Sequence, residues 1–161
     1  MRLCVRSKFD AAHRLDGHPG KCANLHGHTY VVEVAVAVPD EKAFGSAGNM
    51  AVDFTDLKAI LQAHLATVDH ICWLSEKSFD CLFVNALEAK LEPPIIVKVE
   101  NVGPVMVTVG EPTAEKMAQM LYDWLAPDYK ALGTLAGGEV TLVSVTVWET
   151  EHQGVTYAPG V

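Results

Sequence analysis

Two histidines one residue apart, His26-Gly27-His28, open a run that alternates as a strand through Tyr30, Val32, Val34, Val36 and Val38. Side chains two apart on a strand point to one face, so both imidazoles can converge on a single ion. A stable metal site needs a third ligand. His13 ends Phe9-Asp10-Ala11-Ala12-His13, directly after a strand-like run expected to neighbour this one, and is the first candidate. Three imidazoles with an open fourth position are the pattern of catalytic zinc. His18 competes for the third place from Asp16-Gly17-His18-Pro19-Gly20, a turn-rich segment where an exposed histidine needs no ligand role. Cys22, four residues before His26, has two readings. As a fourth ligand it closes a structural site; as an unligated thiolate beside the ion it is a base or nucleophile, and a nearby cation favours the thiolate in both cases.

Two acidic features point to proton chemistry. Asp69-His70 closes a helical stretch, and an imidazole beside a carboxylate shuttles protons near neutrality, the alternative being a helix C-cap. Glu149 shares parity with Thr141, Val143, Val145 and Val147, which puts a carboxylate on the apolar side of its strand. A charge so placed must be paired or receive hydrogen bonds, often from a ligand, unless the strand end exits to solvent. His64 lies near the buried stripe of a helix and reads as a packing histidine; His152 has no partner legible in the sequence.

The elements that must position these residues follow from periodicity. Leu3 to Phe9 alternates as a half-buried strand, and Asp10 to Leu25 reads as a long loop. After the strand from His26 to Pro39, a helix begins just after Asp53 with Phe54, Leu57, Ile60, Leu61, Leu65 and Val68 as its stripe. A second helical pattern runs from about Glu76 to Leu91, with Phe79, Leu82, Phe83, Ala86 and Leu87, and Pro93-Pro94 stops it. Ile95–Val99 and Val105–Val109 form a hairpin, and Thr113 caps a helix carrying Met117, Met120, Leu121, Trp124 and Leu125. Strands at Val140–Thr150 and Val155–Tyr157 end the chain. This order implies an α+β domain, an antiparallel sheet with helices on one face.

The 161 residues make one domain, 1–161, with 50% hydrophobic and 20% charged residues, a globular composition. A net charge of -8 lacks the electrostatic footprint of phosphate-backbone binding, so nucleic acid is excluded as a partner. No stretch approaches a membrane span, and no leader pattern is present. Cys4, Cys22, Cys72 and Cys81 are widely spaced, as free thiols in the reducing cytoplasm are, and all but Cys22 read as small core residues.

Taken together, Phe9-Asp10-Ala11-Ala12-His13-Arg14-Leu15, Cys22-Ala23-Asn24-Leu25-His26-Gly27-His28-Thr29-Tyr30, Val52-Asp53-Phe54, Val68-Asp69-His70, Pro112-Thr113-Ala114-Glu115 and Glu149 resemble the 6-pyruvoyl-tetrahydropterin synthase and 6-carboxy-tetrahydropterin synthase (QueD) family, in the family's order. The resemblance implies the tunnelling fold (T-fold): a four-stranded antiparallel sheet with helices on one side, three subunits closing a twelve-stranded barrel, and a homohexamer made as a dimer of trimers with active sites between subunits. It implies zinc (Zn2+) on His13, His26 and His28, Cys22 as base, Asp69 and His70 as a relay, and Glu149 as anchor of the pterin ring. Thr113 and Glu115 are the further substrate contacts it suggests, and Arg14 and Lys21 are the nearest cations on the loop to meet the triphosphate. Animal pyruvoyl-forming members look like Cys-x5-His-Gly-His and bacterial carboxy-forming members like Cys-x3-His-Gly-His; this chain has the short form. The implied reaction converts 7,8-dihydroneopterin triphosphate to 6-carboxy-5,6,7,8-tetrahydropterin, acetaldehyde and triphosphate in queuosine biosynthesis, the alternative being the pyruvoyl product. Residues 71–111 stand where compact members have a short connection and read as a folded insertion.

Overall fold

The computed structural model describes residues 1–39, 51–78, 95–135 and 138–160. Strand β1 (Arg2–His13) pairs antiparallel with β2 (His26–Ala37) in unbroken register from Arg2 opposite Ala37 to His13 opposite His26. Alternation buries Val5, Phe9, Ala11 and His13 on one face of β1. The strand therefore continues four residues past Phe9, through Asp10–His13, where the sequence suggests loop. Its last three residues have ladder partners on both sides, and that pairing outweighs the local lack of period.

Helix α1 (Phe54–Ala66) starts because the Asp53 carboxylate accepts the Thr55 N–H at 2.7 Å, and it buries Leu57, Leu61 and Leu65. It ends at Ala66, so Asp69 and His70 lie in the turn beyond it and Thr67, not His70, is its C-cap. β3 (Ile71–Ser75) follows at once. Next come the hairpin of β4 (Ile95–Val99) and β5 (Gly103–Thr108), then α2 (Ala114–Leu135), β6 (Thr141–Trp148) and β7 (Gly154–Tyr157). Asn101 and Gly103, with φ of 61° and 105°, make the reversal between β4 and β5.

Among the described residues the sheet has seven strands in the order β4-β5-β3-β1-β2-β6-β7, not the four expected. β1, β2, β6 and β7 form a contiguous antiparallel set. β3 extends it by running parallel to β1 over Ala11–His13 and parallel to β5, so the sheet is mixed. Ile71–Ser75 escapes sequence reading because both its faces are covered. Trp73 joins the main core, whereas Leu74 joins a second cluster with Val99, Val105 and Val107, and such a strand shows no alternation. The stripe expected from Phe79 to Leu87 lies outside the described residues, as does Cys81. Cys4 is exposed rather than in the core, and Cys72 is half-buried. Among the described residues, α1 packs on the sheet against β1 and α2 against β6 and β7. No helix of the described residues is long and apolar enough to cross a membrane.

Candidate metal and active site

His13 and His26 are register partners at the end of the β1–β2 ladder, and His28 stands two residues on, on the same face. The three rings converge, with centroids 4.5 Å (His13–His26), 5.0 Å (His26–His28) and 5.3 Å (His13–His28) apart. One ligand nitrogen from each lies within 4.8 Å of the others, a group capable of holding a metal ion. Backbone carbonyls orient two of the rings. His13 Nδ1 donates to Pro112 O at 2.9 Å and His26 Nδ1 to Asn24 O at 2.8 Å, which leaves each Nε2 as the lone-pair atom.

His13 is 1% exposed and its Nε2 is buried without a hydrogen-bond partner. An orphaned acceptor there is costly unless an ion takes the lone pair, so the residues present fit a metal. Burial holds the His13 imidazole below its ordinary pKa against the opposing Pro112 hydrogen bond, and the neutral ring is the form that ligates.

Glu149 stands one residue past β6, where continuing the register places it opposite Tyr30. Its Oε1 lies 3.3 Å from His13 Nε2 and 3.4 Å from His28 Nε2, and its side chain is 29% exposed. The buried face of β6 is not the one its parity predicts throughout. A bulge pairs Ala35 with Ser144 and Val36 with Leu142, so Val143 has no ladder partner and Leu142 takes the core position. Only Val145 and Val147 share the buried face with Glu149.

Tyr30, which the sequence marks only as a strand residue, also belongs to the site. It is 0% exposed, stacks on Phe9 at 5.1 Å, meets His28 edge-on at 5.4 Å, and its hydroxyl has no hydrogen-bond partner. Burial, reinforced by the charges of Glu149 and Cys22, pushes its pKa up and keeps it a donor. Its parity with His26 and His28 was the available signal.

Cys22 sits half-buried in a short 3-10 turn, Lys21–Ala23, and is not part of the three-histidine group. His18 is exposed and its Nδ1 accepts the Gly20 N–H at 3.0 Å, so it does not join the triad. His64 pairs with Asp128 at 2.7 Å and thereby links α1 to α2.

Asp69 and His70 form a separate group with Asp10 at the β1 edge. Asp69 Oδ1 accepts the Asp10 N–H at 2.8 Å, and Asp69 Oδ2 lies 2.8 Å from His70 Nδ1. His70 adopts a φ of 58°, a left-handed conformation that costs energy for a non-glycine residue, and its N–H donates to Asp10 O.

A family model described as 6-pyruvoyl tetrahydropterin synthase matches residues 2–160. The chain belongs to that family. The 6-carboxy-5,6,7,8-tetrahydropterin synthase of Haemophilus influenzae is 32% identical to it over 153 residues, 92% of each chain. That of Aquifex aeolicus is 32% identical over 139 residues, 85% of this chain and 75% of the other. Among solved structures, an uncharacterized protein of Wolinella succinogenes shares the fold with a TM-score of 0.75 at 18% identity, over 99% of this chain and 98% of that one. The 6-pyruvoyl tetrahydropterin synthase of Caenorhabditis elegans does so with a TM-score of 0.58 at 22% identity, over 99% and 96%.

In this member of the 6-pyruvoyl tetrahydropterin synthase family, Thr113 Oγ1 accepts the Lys116 N–H at 3.4 Å at the start of α2, and Glu115 is exposed in the first turn. Arg14 is ion-paired to Asp16 at 3.0 Å, and its Nε is buried without a partner.

The Asp69 hydrogen bond, then its charge, holds His70 above the ordinary 6.5. The Asp10 N–H first, then His70, holds Asp69 below the ordinary 3.8. A raised histidine contributes stability below its ordinary pKa and loses it as pH rises through the folded value. A depressed carboxyl contributes above its ordinary value and loses it as pH falls through the folded one. Between 3.8 and 6.5 both contributions are complete, but His70 is 76% exposed, so they are small. An NMR titration should find the His70 midpoint above 6.5 in the parent and lower in Asp69→Asn; an unmoved midpoint would show that the pair does not interact in solution.

Proposed function

We propose that the chain is a zinc-dependent lyase, a 6-carboxy-5,6,7,8-tetrahydropterin synthase that converts 7,8-dihydroneopterin triphosphate and one water to 6-carboxy-5,6,7,8-tetrahydropterin, acetaldehyde and triphosphate in queuosine biosynthesis. The observation that carries this reading is the buried, unpartnered His13 Nε2 converging with two further imidazoles beside Glu149. The carboxy product is favoured by the three-residue spacing between Cys22 and His26 and by the names of the relatives from Haemophilus influenzae and Aquifex aeolicus.

His13, His26 and His28 hold zinc, which supplies Lewis acidity toward the oxygens of the substrate side chain. Cys22 takes and returns protons at the side-chain carbons as a thiolate. His70 is its counterpart on the opposite side, and Asp69 holds the His70 tautomer. Glu149 accepts the adjacent N–H donors of the pterin edge, a planar pair that a carboxylate matches. Thr113, Glu115 and Arg14 complete the substrate contacts, Arg14 meeting the triphosphate from its ion pair with Asp16.

The enzyme works as a homohexamer, a dimer of trimers. Supporting this, Arg2–Phe9 of β1 and all of β7 are open edges among the described residues, and unpaired edges template strand addition. The placement of Asp69 and His70 at the β1 edge suits a role in an adjacent subunit's site.

Product analysis tests the reading. The zinc-loaded protein incubated with dihydroneopterin triphosphate should release acetaldehyde and 6-carboxytetrahydropterin in equal amounts. A pyruvoyl product with triphosphate release would replace it with the sister activity, and no turnover would remove the enzyme assignment.

A further inference from the structure

The loop that carries Cys22 and the 71–111 segment meet at one residue. Asp16 stands three residues after His13 and six before Cys22. Its Oδ2 accepts from Ser75 Oγ at 2.9 Å and from Ser78 Oγ, while Oδ1 takes Arg14 Nη2 at 3.0 Å. Its backbone N–H donates to Glu111 Oε2 at 2.7 Å. Ser75 and Ser78 are both buried, and the Ser78 N–H donates to Ser75 Oγ at 3.1 Å, so the two hydroxyls are themselves held in place. Side chains from the two ends of the 71–111 segment thus close on a single carboxylate and its own amide.

The neighbours of this junction belong to the site. Leu15, adjacent to Asp16, donates its N–H to the Cys22 carbonyl at 2.9 Å. Pro112, adjacent to Glu111, is the residue whose carbonyl orients His13. One short stretch, Glu111-Pro112, therefore braces both a histidine of the triad and the loop bearing the thiol. The Ser78 hydrogen bond first, with Ser75 and Arg14 assisting, holds the Asp16 carboxyl below its ordinary pKa, so it is charged at neutral pH and binds its donors strongly.

We propose that Asp16 is a positioning residue for the reaction: bound to Ser75, Ser78 and Glu111, it fixes the loop that presents Cys22 to the three-histidine site. The inference rests on the reading of Cys22 as the base. Residues 14–25 include Gly17, with a φ of 74°, and Gly20, and the segment has one short 3-10 turn of its own. Anchors from elsewhere in the sheet must restrict it, and a displacement of about 1 Å at a reacting group is enough to cost roughly a hundredfold in rate. This gives Ser75, Ser78 and Glu111, from the two ends of the 71–111 segment, a positioning part in catalysis.

Asp16→Ala tests this, read by metal content, kcat and KM separately, and the rate and pH profile of Cys22 alkylation, with peptide mass mapping to distinguish Cys22 from Cys4, Cys72 and Cys81. The expected result is full metal content, a kcat about ten- to a hundredfold lower, a smaller rise in KM from the loosened Arg14, and faster Cys22 alkylation with a shifted pH midpoint. Asp16→Asn, which retains an acceptor oxygen for the serines, should recover most of the rate. Ser75→Ala with Ser78→Ala, which leaves Asp16 intact, should act in the same direction, and it decides the matter if Asp16→Ala fails to fold. Unchanged kcat and unchanged alkylation would overturn the proposal, as would a rate loss that merely tracks loss of metal. If Cys22→Ala keeps parent activity, the base assignment fails separately, while the alkylation profile still reports whether Asp16 holds the loop.

Discussion

His26→Ala empties the metal site and leaves the sheet standing. With one of three imidazoles gone, His13 and His28 are too few ligands for a stable zinc site, and metal content should fall from one per chain to less than about a tenth. The cost in stability of the metal-free protein should be small, within about 0.5 kcal/mol, because His26 is half-exposed at the first position of β2. His13 would make a poorer test, since removing a buried ring from the end of β1 disturbs packing as well as ligation. Elemental analysis after gel filtration, with thermal melts of parent and variant in chelator, measures both effects. Full stoichiometry in the variant would sink the ligand assignment.

The second large effect is catalytic. Cys22→Ala should retain metal, because Cys22 stands outside the group of three histidines, yet lose about a hundredfold or more in turnover, roughly 2.7 kcal/mol in barrier height. The pairing of outcomes matters more than either alone. A closed structural site with Cys22 as a fourth ligand would lose metal in this variant, whereas an open site with Cys22 as base keeps it. Single-turnover kinetics on dihydroneopterin triphosphate, beside metal analysis of the same preparation, separates the two. Parent-rate turnover under conditions limited by chemistry would move proton abstraction to His70.

Features whose physics is local are legible in the amino-acid order. His26 and His28 share a face because strand side chains alternate, and α1 is set by the Asp53 cap and the spacing of Leu57, Leu61 and Leu65. His13 could be named as their partner because consecutive strands pair so often. Other features needed the tertiary structure. Ile71–Ser75 is covered on both faces, so it carries no alternation to read, and its pairing with β1 depends on residues some sixty positions away. The same pairing carries β1 on to His13. The bulge that displaces Val143 arises from the register of β6 on β2, and the meeting of Asp16 with Ser75, Ser78 and Glu111 joins residues 59 to 95 apart. Periodicity records which face of an element is apolar, whereas the choice of neighbours and register is made by the packing of the whole sheet.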